Sequence, residues 1–178
     1  MFTNMSSVAK SVRFSQGNKS WLHFLLHLLW SLPLFSSGGF DFIGKFKDNS
    51  SNGFCWNLTA TTYFTKRVEA IPTKTATEKV VIDFIKERII TRFGTPLKIT
   101  TDNAKAFSSR EVNDFCFKYG IILSHSSDYY PQGNGLAEST NKKLMTILMK
   151  NVGDNKRAWD SKIKYAVFKI HNYNHLSS

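Results

Sequence analysis

The chain has 178 residues, a length that fits one domain and excludes a second full one. Lys and Arg number 24 against 13 Asp and Glu, which gives a formal net charge of +11. This excess favours a polyanionic partner over an acidic small substrate, with solvated lysine faces as the alternative. The two cysteines, Cys55 and Cys116, form neither a CxxC pair nor a disulfide framework. Their spacing predicts an intracellular domain without a thiolate metal site.

Residues 1–38 form a predicted arm ahead of the folded domain. Residues 1–20 are polar and aperiodic, which is typical of disorder. An apolar run at 21–35 follows, and the order of basic, apolar and small residues across positions 10–38 resembles a secretory signal. The run is shorter than the ~20 residues of a comfortable membrane span, and it contains a proline. The preferred interpretation is therefore a nuclear or cytoplasmic protein that does not associate with a membrane.

Three strands open the predicted domain, which extends from residue 39 to residue 178. An apolar run with one embedded carboxylate, Asp41, predicts the first strand at 39–46. Apolar residues alternate along 54–64 and predict a second, half-buried strand, and residues 67–72 predict a third. The short connection between the second and third strands predicts an antiparallel meander.

The apolar period then changes from that of strands to that of helices. Thr75 and Glu78 form a capping-box pattern, and Gly94 ends the helix that they open. Two strands and three helices follow, in the order strand 97–101, helix from Ser108, strand 121–125, helix 136–152 and helix from Asp154. This order predicts an α/β fold with a mixed five-stranded sheet that is covered by helices on both faces.

Three carboxylates occur where such a sheet would collect them. Asp102 follows the strand at 97–101, Asp41 lies in the first strand, and Glu138 begins a helix behind the turn-forming sequence PQGNG. Carboxylates this close repel one another unless a cation lies between them, so the set predicts a hard-metal site. Metal-dependent phosphodiester chemistry uses two such ions, about 3.5 to 4 Å apart. Taken singly, each acid is equally explained as a turn former, a helix N-terminal charge or a strand-edge residue.

The spacing of these acids and the motifs around them resemble the D,D-35-E core of integrases from retroviruses and long-terminal-repeat retrotransposons. The 35 residues from position 103 to position 137 separate Asp102 from Glu138. The resemblance is closest to the gypsy class of plant-type elements and covers residues 39–159. The motifs that carry it are, in order, GFDFIG, YFTKRVEAIP, TATEKVVIDFI, ITRFGTP, ITTDN, AFSS, NDFC, YGI, HSSDYYPQGNGLAEST and NK.

The resemblance implies a ribonuclease-H-like fold with three layers, α/β/α, and an enzyme that integrates DNA. It implies two Mg²⁺ or Mn²⁺ ions held by Asp41, Asp102 and Glu138 as the catalytic acids. The expected partner is DNA, as element ends and as target, with homo-oligomerisation a further expectation and no small-molecule substrate. The implied reaction is hydrolytic trimming of a DNA end, followed by attack of its 3′ hydroxyl on a target phosphodiester.

Nucleic-acid contacts are expected on both sides of Glu138. Lys142 lies one turn beyond Glu138 on the same helix face, where it either reaches a phosphate or pairs with Glu138. Tyr130 and its neighbour Tyr129 either stack on an unpaired base or pack against their loop. His125 at a strand end is either a contact or a packed residue. The expected nucleic-acid-binding residues are Lys142, Gln132, Asn134, Asn141, His125 and Tyr130.

Departures from the family pattern bear on activity. Ala104 replaces a glycine, which is tolerated unless φ is positive there. Thr62 stands where many members have an aspartate, and Met145 where retroviral members have a second lysine. The core is expected to be C-terminally truncated and to lack flanking modules, which predicts weak nicking and no paired-end insertion. A catalytically inactive remnant, a domesticated nucleic-acid-binding protein and a generic ribonuclease-H-like nuclease are the alternatives.

Overall fold

A computed structural model describes residues 35–126 and 135–176, with side chains through position 172. Its centre is one five-stranded sheet in the order β3-β2-β1-β4-β5. The strands are β1 (Ser37–Gly44), β2 (Trp56–Thr62), β3 (Val68–Thr73), β4 (Lys98–Thr101) and β5 (Ile122–His125). Strand β2 is antiparallel to both β1 and β3, whereas β4 is parallel to both β1 and β5. The predicted meander and mixed sheet are confirmed.

Helices follow the meander and fill the later connections. The first, α1 (Glu78–Phe84), continues through a π-helical segment (Ile85–Ile90) into a last turn (Thr91–Phe93). Gly94 ends it with a φ of +84°, a conformation that only glycine adopts without strain. The others are α2 (Lys105–Ser108), α3 (Arg110–Lys118), α4 (Gly135–Val152) and α5 (Trp159–Leu176), the last preceded by a 3₁₀ turn (Lys156–Ala158). Within the described ranges no helix has the length and apolarity to cross a bilayer.

Each face of the sheet carries its own apolar core. On one face, Phe40 and Leu58 pack with Phe84 of α1, with Ile89 of the π-helical segment and with α3. On the other face, Val68 packs with Leu144 of α4 and Trp159 of α5. The Trp159 indole also donates a hydrogen bond to the Asp48 carbonyl at 3.2 Å. The helices therefore form two layers around the sheet, as the sequence predicts.

Strand β2 corrects the expectation of a half-buried strand. Its apolar residues Leu58 and Ala60 are buried, and so are the polar residues between them, Asn57, Thr59 and Thr61. The alternation of apolar and polar residues is real, but the polar side lies under a helical layer instead of facing solvent. The prediction of one solvent-facing side was wrong because polar residues alone do not show whether another layer covers them.

Helix starts also differ from the predicted positions: α5 begins at Trp159 and not at Asp154, and two predicted N-caps were wrong. Helix α1 has Thr77 as its N-cap with no side-chain cap bond, so the capping box of Thr75 was wrong. Helix α3 has Ser109 as its N-cap, and its hydroxyl accepts from the Val112 N–H at 3.3 Å. Ser108, the predicted start, belongs to α2 and donates to the Ala104 carbonyl at 3.1 Å. In both helices the predicted N-cap was a hydroxyl residue one or two positions before the actual N-cap.

Candidate active site

The parallel pairing of β1 with β4 brings two of the predicted acids to one edge of the sheet. Gly39 of β1 pairs with Thr100 of β4. Continued by two residues, the same register brings Asp41 level with Asp102, the first residue after β4. Because neighbouring parallel strands end at the same edge of a sheet, Asp41 and Asp102 lie at the edge where ligand sites of such folds form.

The alternation of side chains along β1 directs Asp41 towards α4. Phe40 and Phe42 pack into the core under α1, whereas Ile43 packs into the core under α4 and α5. Successive strand residues point to opposite faces, so Asp41 shares the face of Ile43. The side-chain amide of Asn141 in α4 donates to an Asp41 carboxylate oxygen at 2.8 Å. This bond fixes the carboxylate against the helix that carries Glu138.

Glu138 stands in the first turn of α4, where the helix dipole favours a negative charge. Its side chain is exposed, as is that of Lys142 one turn later. Both line an open groove of about 540 Å³ together with Asp41 and Asn141. Asp41 and Glu138 therefore face the same space from a strand and a helix that are remote in sequence.

Electrostatics tie Asp41 to both other acids. Burial raises the pKa of the Asp41 carboxyl to about 6, and the negative charge of Asp102 adds to this increase. Hydrogen bonds from Asn141 and from the Phe42 backbone lower the pKa in part, and Glu138 raises it slightly. A carboxylate that is crowded by like charges is stabilised by a cation. A bound cation would therefore stabilise the ionised form of Asp41.

The donor set fits a hard divalent cation. Three carboxylates offer only oxygen ligands, which Mg²⁺ and Mn²⁺ prefer. In residues 35–126 and 135–172, however, no three acidic, histidine or cysteine side chains already converge on a common point. Glu138 and Asp102 are exposed, so the protein does not enclose their side chains, although the Asp102 carboxylate accepts a hydrogen bond within its own turn. The residues present fit such an ion, with Asp41 as the fixed member of the set.

The turn after β4 is held by a small polar network. The Asp102 carboxylate accepts from the Ala104 N–H at 3.1 Å. The Thr101 hydroxyl donates to the Asp102 carbonyl at 2.9 Å and lies 2.9 Å from Nδ1 of His125. Ala104 has a φ of −59°, so the alanine is accommodated without strain. Thr101 was not predicted as a site residue, because a buried strand threonine carries no distinguishing sequence pattern.

The expected nucleic-acid contacts divide into three groups. Lys142 is exposed in the groove beside Glu138, and the half-buried His125 packs on the turn after β4. Asn141 is 6% exposed, with its amide nitrogen bound to Asp41. The only sequence signal for this role of Asn141 was its position three residues after Glu138, which places it on the same side of the helix. The remaining expected contacts, Tyr129, Tyr130, Gln132 and Asn134, lie outside the described residues.

Comparison with known proteins settles the family. Residues 40–131, more than half of the chain, match the sequence model of the integrase core domain. The chain belongs to the integrase core domain family. This integrase core is also 31% identical over 109 residues to the Tf2-3 and Tf2-4 transposon polyproteins of Schizosaccharomyces pombe. The match covers 61% of this chain but 8% of each polyprotein, so the chain spans a small part of those relatives.

Solved structures confirm the ribonuclease-H-like fold of this integrase core. A chain of the simian T-cell lymphotropic virus intasome in complex with PP2A regulatory subunit B56 gamma is 27% identical, with a TM-score of 0.66. The match covers 79% of this chain and 49% of that one. The HTLV-2 integrase catalytic core in complex with magnesium is 26% identical with a TM-score of 0.60, covering 78% and 85%. Assignment to the gypsy class stays a prediction.

Proposed function

We propose that this chain is the catalytic core of an integrase that cuts and joins DNA strands with the help of divalent metal ions. The observation that carries the proposal is the Asp41 carboxyl. It is held by Asn141, its pKa is raised to about 6, and it is coupled electrostatically to both Asp102 and Glu138. A carboxyl group whose pKa is raised by burial and by a neighbouring charge, and which lines a groove, is typical of a catalytic centre.

In the proposed site, Asp41, Asp102 and Glu138 hold two Mg²⁺ or Mn²⁺ ions. Support comes from the oxygen-only donor set and from the magnesium in the related HTLV-2 core. When bound, such ions activate the attacking oxygen and stabilise the leaving oxygen at phosphorus. The chain itself contributes orientation, because Asn141 fixes Asp41, and charge, because Lys142 faces the same groove and meets a phosphate there.

The proposed substrates are the element's DNA ends and a target DNA. In the first step water attacks a phosphodiester near the 3′ end, which releases the terminal nucleotides and leaves a 3′ hydroxyl. In the second step that hydroxyl attacks a target phosphodiester, so one P–O bond forms and the bond to the target's own 3′ oxygen breaks. The net charge of +11 is suited to holding both polyanions.

Assembly and location follow from the same proposal. The HTLV-2 integrase catalytic core has been solved in trimeric and dimeric forms, which supports a homo-oligomer for this chain. Two DNA ends and a target require more than one core to be held in register. The proposed place of action is the nucleus or the cytoplasm.

The test is metal-dependent nicking of supercoiled DNA by the wild type and by Glu138→Gln. The substitution keeps the side-chain shape and removes the charge that a cation needs, so nicking in Mg²⁺ or Mn²⁺ is expected to disappear. Glu111→Gln is the matched control, since Glu111 also stands exposed in the first turn of a helix, α3, away from the groove. Equal nicking by Glu138→Gln and the wild type would refute the proposed role.

A further inference from the structure

A second groove lies between α4 and α5, beside the candidate active site. It has a volume of about 680 Å³ and is bordered by Lys142, Lys143, Lys150 and Lys169. Its lining residues include no carboxylate. We call it the lysine groove. Of these four lysines, only Lys142 has a part in the function proposed above.

The positive charge of the lysine groove favours an anionic ligand. All four lysines are exposed. In the part of the chain that the structure describes, the ion pairs are Arg92 with Glu69 and Arg110 with Asp114, so no acidic side chain there neutralises these lysines. Four exposed ammonium groups around one depression attract a polyanion and release its counterions on binding.

The lysine groove is continuous with the groove that holds Asp41 and Glu138. Lys142 and Thr146 line both depressions. On α4, positions 142, 146 and 150 follow one another at intervals of four, so they lie along one face in a row roughly 12 Å long. The row leads away from Glu138. An occupant that begins at the acids would therefore pass along these lysines.

The floor of the lysine groove indicates which form of nucleic acid fits. The half-buried Ile147 supplies apolar surface, and Tyr165 is 43% exposed. The Lys169 ammonium lies 5.4 Å from the centroid of the Tyr165 ring. A basic groove with an accessible aromatic face is typical of sites that bind single strands, because unpaired bases stack while phosphates meet the lysines. A duplex would leave the apolar floor uncovered.

We propose that the lysine groove binds an unpaired DNA strand that leads away from the reacting end. In this arrangement Lys143, Lys150 and Lys169 contact phosphates, and Tyr165 stacks on a base. The groove deepens the function proposed above and rests on it, since it assumes a DNA end at the acids.

The first test is equilibrium binding by fluorescence anisotropy without divalent metal. The probes are a blunt duplex and the same duplex with a single-stranded extension. We expect the wild type to prefer the extended probe and Lys150→Glu/Lys169→Glu to lose that preference. The slope of log affinity against log salt on the extended probe should also fall by about 1.4, the value for two lost single-strand phosphates.

Lys79→Glu/Lys118→Glu is the matched control. Both lysines are exposed, lie on α1 and α3, and produce the same change of net charge outside the lysine groove. This control should keep the preference for the extended probe. Equal loss of the preference in both double variants would assign it to general charge and overturn the proposal. Equal binding of both probes by the wild type would overturn the proposal directly, because no preference would exist.

Tyr165 supplies an independent readout. Tyr165→Phe should keep the preference for the extended probe and Tyr165→Ala should lose it, with thermal melts confirming that both variants fold. An extension that carries 5-iododeoxyuridine should cross-link to the peptide containing Tyr165, and cross-links confined to other peptides would overturn the proposal. None of these measurements needs turnover. If nicking fails but the variants change DNA binding as expected, the proposed chemistry is refuted and the lysine groove is not. If nicking depends on Glu138 but the variants do not change DNA binding as expected, the lysine groove is refuted and the chemistry is not.

Discussion

The side-chain amide of Asn141 in α4 donates a hydrogen bond of 2.8 Å to the carboxylate of Asp41 in β1. The bond joins the helix that presents Glu138 to the central strand of the sheet. Asn141 is buried, and its carbonyl oxygen Oδ1 has no partner among the described residues. Asn141 therefore acts as a positioning residue, since its amide holds the one carboxylate of the site that cannot easily move.

Asn141→Ala should lower metal-dependent nicking by about 10- to 100-fold, the usual cost of losing a residue that orients a metal-binding side chain. The variant should also change the pH profile. The Asn141 bond lowers the pKa of Asp41, so its loss raises that pKa and moves the acidic limb of the rate profile to higher pH. Asn113→Ala on α3 is the control, and an unshifted limb in Asn141→Ala would contradict the positioning role.

Asp41 should make the metal-free protein less stable as the pH rises. Its pKa lies at about 6 in the folded protein against a usual value of 3.8, so the folded state holds the proton more tightly than the unfolded state. The free energy of unfolding should therefore fall as the pH rises between these two pKa values, by on the order of 2 kcal/mol after allowance for solvent screening. Urea denaturation of wild type and Asp41→Asn from pH 4 to pH 7 measures the difference.

Two outcomes decide this prediction about Asp41. Asp41→Asn should lack that part of the pH dependence and should be the more stable protein at neutral pH without metal. Added Mg²⁺ should stabilise the wild type more at pH 7 than at pH 5, because the cation competes with the proton, and should leave Asp41→Asn unaffected. Identical pH dependence in the two proteins would show that Asp41 is not the titrating group.

Ser109→Ala should destabilise the protein by about 1 kcal/mol, the usual cost of losing an N-cap hydroxyl. Its hydroxyl accepts from the Val112 N–H, which otherwise lacks a helical partner. Ser108→Ala removes an adjacent exposed hydroxyl that only bonds back to the Ala104 carbonyl, and it should change the stability by much less. Thermal melts of the two variants provide the comparison, and a larger effect at Ser108 would place the cap where the sequence pattern suggested it.

Leu144→Ala should cost about 2 to 5 kcal/mol of stability, because Leu144 is 0% exposed in the core between α4 and the sheet. Met149→Ala on the same helix is the control. Met149 is 46% exposed, so its truncation should stay within about 0.5 kcal/mol. Chemical denaturation measures both effects, and similar values would mean that α4 does not pack as described.

Local pattern was enough to predict β1, β4 and the start of α4, and with them the positions of Asp41, Asp102 and Glu138 in the fold. Burial of Asn57 and Thr61 in β2 was not predictable, because it depends on a helical layer formed by distant residues. Neighbouring hydroxyl residues such as Ser108 and Ser109 match the same N-cap pattern equally well, and the packing of the helix selects one of them. The bond between Asn141 and Asp41 joins positions too far apart in sequence for any periodicity to reveal.

The central place of β1 in the sheet has a consequence for the order of folding. Strands β1, β2 and β3 are linked by short connections and pair as neighbours, so their meander forms over small loops. Pairing of β1 with β4 must close a much longer loop, which is entropically slower. Asp41 is therefore expected to meet Asp102 after the meander has formed. A cation bound by these acids would accordingly slow unfolding and leave the folding rate nearly unchanged.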